Sequence, residues 1–154
     1  MYLTERDCLT QVLVAYHSFT GNTKMMATAV ADGVGEVQGV KVMIKKISDV
    51  SLEDFASADA VAFGAPNTFG GMAGALREFF DRAWSLHEKI QGKPAAAFSS
   101  ENAGETGALK EIEKFLGYFK LREISDGVVS ALAPGAKEVD ACKKLGRSLA
   151  EAAK

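Results

Sequence analysis

Hydrophobic positions change period along the chain in a regular way. Residues 11–16 (QVLVAY) form a nearly unbroken apolar run rich in Val and Leu, which predicts a strand buried on both faces. Over 23–36, Met26, Val30 and Val34 recur every four residues and predict one buried helix face. Gly35 and Gly39 bracket the end of that helix. Residues 40–47 alternate Val40, Val42 and Ile44 with Lys41, Met43 and Lys45, the pattern of a less buried strand nearer a sheet edge. The stretch 48–58 (SDVSLEDFASA) predicts a short helix capped by Asp49 or Ser51. A third strand follows over 59–66 (DAVAFGAP), then a helix over 71–90 that groups Leu76, Phe79, Phe80, Ala83 and Trp84 on one face. Residues 93–100 (KPAAAFSS) predict a fourth strand. Residues 106–120 predict an amphipathic helix on Leu109, Ile112, Leu116 and Phe119. A fifth strand is expected around 123–130, and a terminal helix from 136 to the end.

Strict alternation of strand and helix is the signature of a parallel sheet covered on both faces, with right-handed crossovers. The predicted class is α/β: one domain over 11–154, preceded by an N-terminal extension over 1–10. Alternation alone does not fix strand order, nor does it separate a nucleotide-binding fold from a response regulator of similar size. Asp59 stands at the start of the third strand and is not part of an acidic cluster at strand ends, so the Mg²⁺ and phosphoryl-transfer reading falls.

The totals exclude more than they select. The chain has 154 residues, 20 acidic and 18 basic, with a formal net charge of -2. That balance gives no electrostatic case for nucleic acid or a membrane surface. The N-terminus has no long apolar segment and no run approaches the length of a membrane span, so a cytoplasmic protein is expected. Cys8 and Cys142 are far apart and show no CxxC spacing. They read as reduced, partly buried thiols, the alternative being a disulfide from the N-terminal segment to the last helix. Neither cysteine nor His17 or His87 shows zinc-ligand spacing.

In an open parallel sheet, ligands bind beyond the carboxyl ends of the strands, at the switch in strand order. The segments after strands 1, 3 and 4 are HSFTGNT, GAPNTFGGM and SSENAGET, all rich in Gly, Ser, Thr and Asn. In the first, Ser18, Thr20 and Thr23 offer hydroxyls and Asn22 an amide, and Gly21 lets backbone approach a ligand. The turn enters a helix whose first N–H groups lack intrahelical partners and whose dipole favours an anion. This is a phosphate cradle. It has neither the GK[ST] of a triphosphate loop nor the GxGxxG of a dinucleotide fold. The structural alternative is a helix capped by Ser18 or Thr20 with nothing bound. No side chain reads as a catalytic acid or base. His17 reads as structural, with one ring nitrogen bonded to backbone, and His87 as a surface or last-turn residue.

SFTGNT after the first strand, GAPNTFGGM after the third and FSS-x-x-x-G after the fourth resemble the flavodoxin-like superfamily, over nearly the whole chain in order and spacing. The resemblance implies a three-layer α/β/α sandwich, strand order 2-1-3-4-5, and one non-covalent FMN. It implies that Ser18, Phe19 (through its backbone), Thr20, Gly21, Asn22 and Thr23 hold the phosphate. Pro66, Asn67, Thr68, Phe69, Gly70 and Gly71 would then meet the flavin ring. Phe69 would lie against the ring, unless it caps the core. The peptide at Gly70 and Gly71 would take part in a redox-linked flip, unless Gly71 with Met72 simply starts the helix. Ser99, Ser100, Glu101, Asn102 and Gly104 would face the pyrimidine edge.

The resemblance implies electron transfer with a redox partner protein. The alternative it allows is an NAD(P)H-dependent reductase of quinones or small molecules, and a third is a binding module that has lost FMN. Near-neutral charge and the lack of an aromatic between 99 and 107 favour the reductase. Short length and the lack of an inserted segment favour the carrier, as a monomer or homodimer. The absence of cations near the flavin, with Glu101 and Glu105 close by, predicts a low second reduction potential.

Overall fold

The structure, a computed structural model, describes residues 9–154. Cys8 and most of the expected N-terminal extension lie outside the described residues, and Thr10 already belongs to the first strand. Strands β1 (Thr10–Tyr16), β2 (Val40–Lys46), β3 (Ala60–Thr68) and β5 (Pro94–Glu101) pair in parallel in the order β2-β1-β3-β5. The next position is shared by β6 (Arg122–Glu123) and β7 (Val128–Ala131), both parallel to β5. The expected order holds, with seven strands rather than five. The fifth strand is split at residues 124–127. Ile124 N–H still donates to Ala95 O at 3.0 Å, but Gly127 then sits where a Cβ would lie 2.8 Å from Ala97 O and 2.5 Å from Leu109.

The seventh strand is the two-residue β4 (Gly71–Met72), which folds back antiparallel on β3. These two residues do not start the helix. α3 runs Gly74–Ala83, continues as a 3-10 turn over Trp84–Leu86, and ends as α4 (His87–Ile90). The break falls where His87 Nδ1 meets Trp84 O at 2.7 Å and the two rings stack. Of the two possible caps for α2 (Leu52–Ser57), Ser51 is the one used, in a reciprocal box with Asp54.

Pleat alternation divides the core into two layers. Leu13 and Ala15 of β1 face α2, α3 and α5 (Gly107–Tyr118), over a cluster built on Phe55, Phe63, Phe79 and Phe80. Val12, Val14 and Tyr16 face α1 (Asn22–Gly35) and α6 (Ala136–Ala153). These two helices approach closely through a reciprocal pair of glycines. A Cβ on Gly33 would lie 2.0 Å from Lys143 O, and one on Gly146 2.0 Å from Val30 O.

At the far edge, Glu123 of β6 stands beside Glu113 of α5. Desolvation, the hydrogen bond with Glu113 and the nearby charges of Glu113 and Asp126 push the Glu123 carboxyl up to about 8. In the unfolded chain it ionises near 4.5. Between those values the folded state holds the extra proton, so stability falls as pH rises. Glu123→Gln is expected to remove this fall and to stabilise the protein at pH above about 8. Urea unfolding of both forms at acid and alkaline pH checks it, and equal slopes against pH would contradict it.

Candidate functional site

The three polar segments meet at the carboxyl edge of the sheet. In the first loop, Ser18 Oγ accepts from the N–H of Gly21 at 3.1 Å and of Lys24 at 3.3 Å, which folds the turn back on itself. Gly21 is the N-cap of α1 with φ +95°, a left-handed conformation natural to glycine, and contributes no side-chain cap. The N–H groups of Thr20, Asn22 and Thr23 take no acceptor among the described residues. The first turn of α1 contains no acidic residue, although the helix dipole favours one there. A helix start with free donors and no resident anion is suited to a bound anion.

Thr23 is different from its neighbours. It is buried, and its hydroxyl lies 2.7 Å from Ser100 Oγ. Its side chain therefore ties the first loop to the third, and its N–H is without an acceptor among the described residues. Phe19 is exposed and packs edge-on against His17 at 4.4 Å. The expected backbone bond of the His17 ring is not seen at Nε2, which is buried without a partner among the described residues. Desolvation holds the His17 pKa below its ordinary value.

The second loop is a β-hairpin. Pro66, Asn67 and Thr68 end β3, Phe69 and Gly70 form the turn, and Gly71 opens β4. Both turn residues have positive φ, +53° at Phe69 and +86° at Gly70, as a type I′ turn requires. A bulky residue at positive φ is an outlier, and the Phe69 side chain is wholly exposed. It does not cap the core. Thr68 Oγ1 is buried and has no partner among the described residues.

In the third segment, Ser99, Ser100 and Glu101 belong to β5, paired with β7, and all three are buried. Ser99 Oγ donates to Glu101 Oε2 at 2.7 Å, so its hydroxyl is not presented at the surface. The exposed part begins at Asn102 and includes Gly104 at φ +81°.

A cavity of about 220 Å³ joins the loops. Phe19, Thr20 and Asn22 line it from the first, Pro66 and Asn67 from the second, and Ser100, Glu101 and Asn102 from the third. Leu132, from the loop after β7, completes it. Ser18, Gly21, Thr23, Thr68, Phe69, Gly70, Gly71, Ser99 and Gly104 are not part of this lining. Leu132 was not anticipated. It is exposed, with φ +64°, and its N–H donates to Glu101 O at 2.8 Å.

A second cavity of about 320 Å³ adjoins the first loop, lined in part by His17, Ser18, Lys24 and Lys46. Lys46 arrives from the end of β2, opposite Tyr16 in register. The uncharged look of the first loop in sequence thus understates the cations around it.

These features fit FMN. The free N–H groups around Gly21 suit a phosphate dianion. The orphaned Thr68 hydroxyl and the cavity between the loops suit a polar planar ring. Among the described residues, no cluster of His, Cys, Asp or Glu is arranged to hold a metal ion, and no helix is long and apolar enough to cross a membrane.

Comparison with known proteins agrees with this geometry. Residues 13–123 match the family described as Flavodoxin domain. A flavodoxin of Aquifex aeolicus is 34% identical over 92% of this chain and 85% of its own length. An NAD(P)H dehydrogenase (quinone) of Geobacter sulfurreducens is 30% identical over 68% of this chain and 66% of its own. Among solved structures, a flavodoxin from the domain Archaea superposes with a TM-score of 0.83 at 30% identity, covering 94% of this chain and 99% of that one.

Proposed function

From the premise that this chain belongs to the flavodoxin family, whose cofactor is FMN, we propose that residues 11–154 form a single FMN-binding domain that transfers electrons to and from a redox partner protein. The observation that carries the proposal is the set of unpaired N–H groups at the start of α1, in a turn without acidic residues, beside a cavity that three loops share.

Bound FMN would accept and release one or two electrons. The protein's own work is to hold and surround it. Thr20, Asn22 and the N–H groups of residues 20, 22 and 23 would hold the phosphate, each hydrogen bond to the anion contributing about 1.5–3 kcal/mol. Ser18 keeps the turn closed, and Thr23 with Ser100 fixes its distance from the third loop. Pro66 and Asn67, with Thr68 and the Phe69–Gly70–Gly71 turn of the same hairpin, would hold the ring from the second loop. Ser100 and Asn102, with Gly104 from the same loop, would contact the ring from the third segment, and Phe19, Phe69 and Leu132 would exclude water.

Similarity to the Geobacter dehydrogenase supports a second reading, an NAD(P)H-dependent quinone reductase built on the same FMN. An anaerobic reductive titration separates the two. A carrier is expected to reduce in two resolved one-electron steps under photoreduction and to ignore NADH and NADPH. Rapid bleaching by either nucleotide, in one two-electron step, would overturn the carrier reading and select the reductase.

A further inference from the structure

Glu101 ends β5 and is almost completely buried. A carboxylate survives burial only where donors replace water, and here four converge. Oε1 accepts from Asn67 Nδ2 at 2.9 Å and from the N–H of Ala108 at 3.0 Å. Oε2 accepts from Ser99 Oγ at 2.7 Å and from the N–H of Leu109 at 3.4 Å. Two of these donors are orphan amides of α5, whose N-cap Thr106 makes no side-chain cap.

The contact with Asn67 leads elsewhere. Asn67 Oδ1 accepts the N–H of Gly70 at 3.0 Å. Gly70 is the second residue of the turn in which both φ angles are positive. Its carbonyl lies against Gly107, where a Cβ would come 2.0 Å from the oxygen. Gly70 is thus held on its N–H by the Glu101–Asn67 pair, and its carbonyl packs against the start of α5. Without a partner for Asn67 Nδ2, the carboxamide loses its fixed orientation, and nothing else among the described residues holds the Gly70 N–H.

We propose that Glu101 is a positioning residue: through the Asn67 carboxamide, its carboxylate holds the Phe69–Gly70 turn in its left-handed conformation and so sets the loop that faces the flavin. What the loop faces rests on the FMN reading; the hydrogen-bond relay does not. The side chain of Glu101 then works inward, as the buried link among β5, the hairpin and α5.

Residue-resolved amide exchange of the apoprotein tests the relay. Glu101→Ala, which removes both acceptor oxygens, is expected to speed exchange at Gly70, Ala108 and Leu109 by about tenfold, the equivalent of one hydrogen bond each. Asn67→Ala is expected to speed Gly70 to the same extent and to leave Ala108 and Leu109 unchanged. The double variant should exchange at Gly70 no faster than either single one, because both cut one chain. A Glu101 that only caps α5 would speed Ala108 and Leu109 in Glu101→Ala and leave Gly70 unchanged, which overturns the proposal. Should Glu101→Ala fail to fold, Glu101→Met removes the same acceptor oxygens at similar side-chain volume, and an unchanged Gly70 there is equally fatal. FMN titration of the folded variants should show affinity reduced by about tenfold for the same lost bond, and unchanged affinity would overturn the link to the flavin. Wild-type protein that keeps the relay but binds no FMN would instead remove the FMN reading and leave the relay standing.

Discussion

Replacing Asn22 by Asp is expected to leave the apoprotein at least as stable and to weaken FMN binding by about a thousandfold, roughly 4 kcal/mol. The two effects have opposite signs for one reason. Asn22 is the first residue of α1, in a turn that holds no acidic side chain. A carboxylate there meets the free N–H groups of the turn and the positive end of the helix dipole, which stabilises by about 0.3–1 kcal/mol. The same carboxylate occupies the field that the phosphate dianion requires, and like charges brought together cost several kcal/mol. Urea unfolding without FMN and fluorescence titration with it read the two effects separately. If the turn is only a capped strand-to-helix connection, the stability gain appears and the FMN affinity does not change.

Gly33→Ala is expected to destabilise the protein by about 3 kcal/mol, at the upper end of overpacking costs. For a domain of this size that lowers the melting temperature by roughly 10 °C. The new Cβ would lie 2.0 Å from Lys143 O, a backbone atom of α6 that cannot rotate aside. Gly146→Ala meets Val30 O at the same distance from the other helix and should cost about as much by the same mechanism. Gly35 is the control. It lies in the same helix, with nothing within 4 Å of its Cβ position, so Gly35→Ala should be neutral or slightly stabilising. Thermal unfolding of the three variants checks the ranking. Equal midpoints would mean that α1 and α6 do not approach closely at these glycines.

The sheet was legible because its strands carry two different kinds of signal. QVLVAY is apolar without alternation, as a central strand must be, and it lies between β2 and β3. VKVMIKK alternates and forms the edge, where Ile44 is exposed. The split of the fifth strand was not legible. It depends on Gly127 fitting under Leu109 and the Ala97 carbonyl, a contact set by tertiary packing. The β4 hairpin was hidden for a local reason. Its turn is Phe69–Gly70, whereas residues that accept positive φ cheaply, such as Asn or Asp, usually stand first in such turns.

The site was legible where it is written in consecutive residues and hidden where it is assembled across the sheet. The loops bearing Thr20, Asn22 and Asn67 meet as their sequences suggest. Lys46 and Leu132 come from the ends of β2 and β7, and their approach depends on strand order, which alternation does not specify. The burial of Ser99 and Glu101 follows from β5 running as far as residue 101. Two residues apart on a strand, they share a face. Placing the end of the strand at 100 instead makes Glu101 a loop residue open to solvent. That reading would leave its charge free to act on the flavin, whereas four donors surround it here.

The most direct test is the titration of flavin-free protein with FMN, followed by quenching of flavin fluorescence. We expect one FMN per chain with a dissociation constant below about 1 μM, consistent with several charge-assisted hydrogen bonds to the phosphate. Undiminished flavin fluorescence, with protein in excess at concentrations up to about 100 μM, corresponds to less than about 6 kcal/mol of binding. That result would contradict the central claim.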